Sequence, residues 1–149
     1  MYLISSCLCG VNCKYNGGNN LNEKCLNLFK EGNAILACPE ELGNLLTPRT
    51  PAEIQGTARG VINKEDKVIT KDNVDVTEAF LKGAYETLNI AISNKVKKAI
   101  LKEGSPSCGV NFVYDGSFLG RKINAKGITT TILEENGIEV VSEVNFGGK

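Results

Sequence analysis

Histidine is absent from this 149-residue chain, and so is tryptophan. Without imidazole there is no His-based catalytic triad, no histidine general base and no Cys/His zinc site. Neither sign of charge is in excess: 17 Lys plus Arg meet 17 Asp plus Glu. No strong field therefore draws the chain to nucleic acid or to an anionic membrane, although Arg121, Lys122 and Lys126 leave room for a local basic patch. Apolar runs stay well short of the roughly 20 residues that a membrane-spanning helix needs. The opening "MYLISSC" lacks both a basic segment and a long apolar one, so it does not read as a signal peptide. The chain is expected to be cytosolic. Repeats, linkers and low-complexity tracts are also missing, and the length fits one domain, 1–149, with one core. A chain of this size buries roughly two-thirds of its unfolded surface and needs no disulfides to fold.

What the chain does have is cysteine: Cys7, Cys9, Cys13, Cys25, Cys38 and Cys108. In a secreted protein six would be paired; in a reducing cytosol, thiolate chemistry or metal binding is the better reading. Their positions gain meaning from the local patterns. "MYLISS" is a short apolar run that reads as a strand, and "CLCGVNCKYNGGNN" as a loop. "LNEKCLNLFKEG" places Leu21, Cys25, Leu28 and Phe29 at helical spacing, with Gly32 as a stop. "NAILAC" reads as a second buried strand. "PEELGNLLTPRTPAEI" carries three of the four prolines and reads as mostly irregular backbone.

Further on, "RGVINKEDKVITKDN" alternates about a polar turn and predicts a β-hairpin. "DVTEAFLKGAYETLNIAISN" predicts the longest helix, opened by Asp75 and Glu78 as a variant capping box. Its apolar face would be Val76, Ala79, Phe80, Gly83, Ala84, Thr87, Leu88 and Ala91. "VKKAILKE" is a third core strand, "VNFVYDGSFLGRK" a hairpin turning at Asp-Gly, "GITTTILEEN" a helix and "IEVVSEV" a last strand. The alternation predicts an α/β fold: a mainly parallel sheet flanked by helices, with added β-hairpins.

In such a sheet the carboxyl ends of the strands share one edge, where ligands bind. Cys7 follows the first strand, Cys38 closes the second and Cys108 follows the third. Three cysteines far apart in sequence would therefore meet. Close thiolates repel and call for a cation, and soft sulfur selects iron–sulfur clusters, zinc or Cu(I). A cubane [4Fe-4S] cluster takes four cysteines as a rule. With three, one iron keeps an open position and can act as a Lewis acid. The plainer alternative is that each cysteine is a small packed hydrophobe.

Four stretches occur in order: "SSCLCG" at 5–10, "CPEELG" with "TPRTPAEI" at 38–54, "DVTEAFLKGA" at 75–84 and "GSPSCG" at 104–109. Together they resemble the thiouracil desulfidase family, in its minimal single-domain form. The resemblance implies a Rossmann-like α/β domain whose [4Fe-4S] cluster is held by Cys7, Cys38 and Cys108, with one open iron. It implies non-redox removal of sulfur from a thiolated pyrimidine, giving the oxo base and sulfide. The substrate would be 2-thiouracil, 4-thiouridine or its monophosphate. By the same resemblance Glu40 is similar to the family's acid/base and Ser105 to its active-site serine. The family pattern carries an apolar residue where Cys9 stands. Were Cys9 to take the fourth iron, the open position would close; it is read as a packed thiol instead, and Cys13 and Cys25 as non-ligands.

Several residues have two readings from chemistry alone. A Ser hydroxyl can steer a substrate or bond its own turn; Ser105 is read the first way and Ser107 the second. Glu40 is a proton carrier or a solvated acid, and Glu41 is read as the latter. Arg49 can bind an anionic or carbonyl group, but an ion pair with Glu53 or another acid is favoured. Tyr15 is read as partly buried rather than stacked on a base. Pro39 and Pro106 would stiffen the ligand loops, and Gly109 would let backbone approach the cluster. Against the desulfidase stand a non-catalytic iron–sulfur or zinc binding protein and a thiol redox enzyme using Cys7 with Cys9 or Cys13. The absence of a C-x-x-C pair weighs against the last. The partner expected is a small molecule, not a membrane, with nucleic acid disfavoured.

Overall fold

The strand β1 (Tyr2–Ser5) alternates its side chains between two cores, and this places every other element. In this computed structural model, which describes residues 1–147, Leu3 faces one apolar cluster and Ile4 the other. Ala99 and Ile100 of β5 (Lys98–Leu101) split the same way. A strand buried on both faces is the mark of a parallel sheet covered by helices. The sheet has the order β2-β1-β5-β8, with β2 at Ala34–Ala37 and β8 at Glu139–Ser142, and every pairing is parallel. On one face α1 (Glu23–Lys30) lays Cys25 and Leu28 against Ile4 and Ile100. On the other, α4 (Thr77–Ser93) and α5 (Ile128–Glu135) bury Phe80, Ala84, Leu88, Ile132 and Leu133. The predicted Rossmann-like α/β fold is thus observed.

Corrections fall between the strands. Cys38 opens a one-turn helix, α2 (Pro39–Leu42), with proline at its first turn, where a missing N–H loses nothing. The stretch read as irregular also contains β3 (Ala52–Gln55) and a cis Thr47–Pro48 bond. The first predicted hairpin is wrong in its pairing. Residues Ala58–Ile62 form a helix, α3, and β4 (Lys67–Thr70) pairs antiparallel with β3. The second hairpin exists, β6 (Val113–Tyr114) with β7 (Lys122–Ile123), but its loop closes from Asp115 to Arg121 rather than at a two-residue Asp-Gly turn. In α1 only Cys25 and Leu28 of the expected apolar set are buried; Leu21 and Phe29 are exposed. Asp75 does receive the Thr77 N–H and hydroxyl at the start of α4.

Two glycines fix α2 against α4. A Cβ on Gly83 would lie 1.8 Å from the Pro39 carbonyl oxygen, and one on Gly43 would lie 2.0 Å from the Ala79 oxygen. Backbone therefore meets backbone here, and the segment that carries Cys38 and Glu40 is held close to the long helix.

Candidate active site

β1 lies between β2 and β5, and the chain leaves β1 toward one neighbour and later returns on the other side. This is the switch point of an open α/β sheet, where a crevice forms at the carboxyl ends. A cavity of about 870 Å³ lies there, and Cys7, Cys13, Cys38 and Cys108 all line it, as do Glu40, Arg49 and Ser105. All six cysteines are free thiols. The expected trio, Cys7, Cys38 and Cys108, is thus brought to one place by three adjacent strands.

Each cysteine arrives by a different local device. Ser6–Cys9 winds into a single 3-10 turn closed by Gly10, whose φ of 88° suits glycine. The turn aims Cys7 into the cavity and sends Cys9 toward the α1 core, where burial raises its thiol to about 11. Cys25, packed beneath α1, is raised to about 12 for the same reason. Cys38 sits directly between β2 and α2.

Cys108 is carried by the loop after β5, and one carboxylate organises that loop. Glu103 Oε1 accepts the backbone N–H groups of Val110 (2.7 Å), Asn111 (2.8 Å), Phe112 (3.2 Å) and Gly104 (3.3 Å). Its Oε2 accepts Asn111 Nδ2 at 2.6 Å. Burial would raise its pKa, but the N–H groups of Asn111, Val110 and Phe112 outweigh burial and hold it below the ordinary value. Inside the loop, Ser105 Oγ accepts the N–H of Ser107 at 3.0 Å and of Cys108 at 3.1 Å. Ser105 thus makes the turn bond and also lines the cavity, with its own proton still to donate. Ser107 is buried and bonds Thr129 at 2.6 Å, joining the loop to α5. Gly109 packs against its own loop: a Cβ there would lie 2.4 Å from the Phe112 oxygen.

The electrostatics single out a fourth cysteine. The buried Cys13 thiol hydrogen-bonds with both Cys38 and Cys7, and both contacts hold its own proton firmly in place. The same contact draws Cys7 below the ordinary thiol value against the pull of burial, with help from Asn20. It does the same for Cys38. Cys108 is raised instead, by burial first and then by the negative Glu40. Cys13 was read from the sequence as a non-ligand, and nothing local signals that its loop folds back.

Glu40 is not a solvated acid: its side chain is 17% exposed. Burial pushes its carboxyl above the ordinary range, and Arg49 opposes that shift from 3.5 Å. Arg49 therefore pairs with Glu40 rather than Glu53, and it also donates to the Cys13 carbonyl at 2.9 Å. Glu53 accepts the N–H groups of Gly116 and Phe118 instead. Glu41 is exposed and accepts the Thr47 hydroxyl. Tyr15, expected to be partly buried, is 44% exposed at the cavity wall. In the basic stretch, Lys126 is paired with Glu134 and Lys122 lies over the Phe112 ring.

A doubly wound α/β domain that gathers thiols and a buried carboxylate around one cavity suits thiolate-held metal or cluster chemistry. The comparisons narrow this class. The sequence model of the 2-thiouracil desulfurase family matches residues 2–145, and the chain belongs to that family. It is 46% identical over 144 residues to the uncharacterized protein YbbK of Bacillus subtilis (strain 168), covering 96% of this chain and 95% of that protein. Among solved structures it is similar to the [4Fe-4S]-dependent thiouracil desulfidase TudS. The TM-score is 0.88 and the identity 37%, over 97% of this chain and 91% of that one. The donor set suits such a cluster: soft, free thiols converge from three strands, and two of them are already biased toward the thiolate. Among the described residues no helix is long and apolar enough to cross a membrane.

Proposed function

We propose that residues 1–149 form a single desulfidase domain that depends on a [4Fe-4S] cluster and exchanges the sulfur of a thiolated pyrimidine for oxygen. The observation that carries the reading is the meeting of Cys7, Cys38 and Cys108 in one cavity at the ends of three adjacent parallel strands. These three would hold the cluster. One iron without a protein ligand would supply a Lewis acid for the thiocarbonyl sulfur. The exchange is a hydrolysis: the oxygen of water goes to the ring carbon, its protons leave with sulfide, and no electrons are transferred overall.

The chain's own residues supply the rest. Glu40, partly desolvated and steered by Arg49, takes a proton from the attacking water and returns it to the leaving group. Ser105 is fixed by the two N–H groups it accepts and donates its own proton to a carbonyl oxygen or ring nitrogen of the substrate. The cavity, about 870 Å³, lies high in the range of about 300–1,000 Å³ for small-molecule sites. Tyr15, Lys14 and Lys122 line the same cavity and can meet a sugar or phosphate, which favours 4-thiouridine or its monophosphate over the free 2-thiouracil base. Balanced charge favours a small molecule over RNA, and six free thiols suit a reducing cytosol.

The test is anaerobic. Protein purified without oxygen and loaded with iron and sulfide should show a brown cluster spectrum and bleach the thiocarbonyl absorption of these substrates. The nucleoside or nucleotide should give the highest kcat/KM. Failure to take up iron and sulfide contradicts the cluster assignment. An intact cluster with no turnover of any of the three contradicts the catalytic role and favours a non-catalytic iron–sulfur protein.

A further inference from the structure

Cys13 has no part in the reaction above, yet it is a buried thiol of the cavity. Its Sγ, the Sγ of Cys38 and a carboxylate oxygen of Glu41 all lie within 4.8 Å of one another. The Cys13 thiol also meets Cys7. The Cys13 backbone is pinned on both sides: its N–H donates to Val11 at 2.8 Å, and its carbonyl accepts Arg49 Nη2 at 2.9 Å. Cys38 Sγ reaches that same carbonyl at 3.9 Å.

This spacing belongs to a single ion. With Zn–S near 2.3 Å, a tetrahedral site puts neighbouring sulfurs about 3.8 Å apart, so the trio needs to close by roughly one ångström at most. Cluster ligands, by contrast, are spread over separate irons. The chemistry agrees, since thiolates with one carboxylate select a thiophilic divalent ion over calcium or magnesium. Arg49, bonded to the Cys13 carbonyl, offsets part of the negative charge of such a site.

We propose that, when no cluster is in place, Cys13, Cys38 and Glu41 bind one thiophilic divalent cation, zinc being the type, with water completing a tetrahedral shell. Cys38 serves both sites, so on the cluster reading above ion binding and cluster assembly exclude each other. Cys13 belongs to the ion site alone and Cys108 to the cluster site alone.

That asymmetry makes the proposal testable by absorption spectroscopy, without any activity assay. Reduced, metal-free full-length protein is titrated anaerobically with Co²⁺, and zinc is then added in competition. The expected result is one ion per chain, with thiolate-to-cobalt charge-transfer bands and intense tetrahedral d–d bands that zinc removes. Cys13→Ser should weaken binding at least tenfold and Glu41→Gln severalfold, while Cys108→Ser should bind as the parent does. Iron–sulfide loading should show the reverse order, retained in Cys13→Ser and lost in Cys108→Ser. A parent without tetrahedral thiolate bands overturns the proposal, as does a Cys13→Ser protein that binds cobalt as tightly as the parent. Glu41 is exposed, so its variant folds whatever becomes of Cys13→Ser, and unchanged affinity there removes Glu41 from the site. If the parent takes cobalt but never a cluster, the ion site stands and the desulfidase reading falls.

Discussion

Replacing Glu103 by Gln tests whether one buried carboxylate holds the loop that presents Ser105 and Cys108. The carboxylate accepts four backbone N–H groups on Oε1 and the Asn111 amide on Oε2. Gln keeps one oxygen for the backbone donors but turns an NH₂ group toward the Asn111 NH₂, which also donates to Asn145. Hydrogen bonds to a charged acceptor contribute about 1.5–3 kcal/mol each. Losing one outright and the charge from the others should cost about 2–4 kcal/mol. With a urea m-value of about 2 kcal/mol/M, the unfolding midpoint at pH 7 should fall by about 1–2 M. The folded-state pKa of Glu103 is depressed, so its stabilisation is present above the unfolded value, about 4.3. It is lost as pH falls through the lower folded value. The gap between parent and variant should therefore be full at pH 7 and narrow below about pH 4. Equal midpoints at pH 7, or a gap that stays constant into acid, would refute the reasoning.

Glu40→Gln should load iron and sulfide as the parent does but turn over about 10²–10⁴-fold more slowly; a fully active variant removes Glu40 from proton transfer. Gly83→Ala should cost about 1–3 kcal/mol in urea unfolding and impair cluster loading, because a Cβ 1.8 Å from the Pro39 oxygen forces α2 away from α4. Cys9→Ala should retain cluster and activity, because Cys9 turns into the α1 core; loss of visible absorption would place it among the ligands.

The strands that build the site were legible because they are short apolar runs closed by Ser, Cys or Glu, buried on both faces. That pattern sufficed to bring Cys7, Cys38 and Cys108 to one edge. What stayed hidden depends on contacts distant in sequence. Residues 58–62 alternate like a strand, yet Thr57 caps the Gly60 N–H at 2.9 Å and Asp66 closes over the turn. A Cβ on Gly60 would lie 1.8 Å from the Asp66 carboxylate, so a side chain there would displace Asp66 from the turn. Cys13 was unreadable for a similar reason. Arg49, 36 positions away, holds its carbonyl, and the 14–18 turn folds the loop over Cys7. Arg49 was expected to pair with Glu53 or another acid; the acid is Glu40, since Glu53 is spent on the backbone of the β6–β7 loop. Ser105 shows that the two readings of a hydroxyl need not compete: it braces the turn through its lone pairs and leaves its proton for the cavity.

The central claim is that three framed cysteines hold a cluster that strips sulfur from a thiolated pyrimidine by hydrolysis. Its most direct test is the stoichiometry of sulfide released from 4-thiouridine by the anaerobically loaded protein, with no reductant or oxidant added. The account predicts one sulfide per oxo base formed over many turnovers, and none from Cys108→Ser. Sulfide release that requires an added reductant, or that persists in Cys108→Ser, would contradict it.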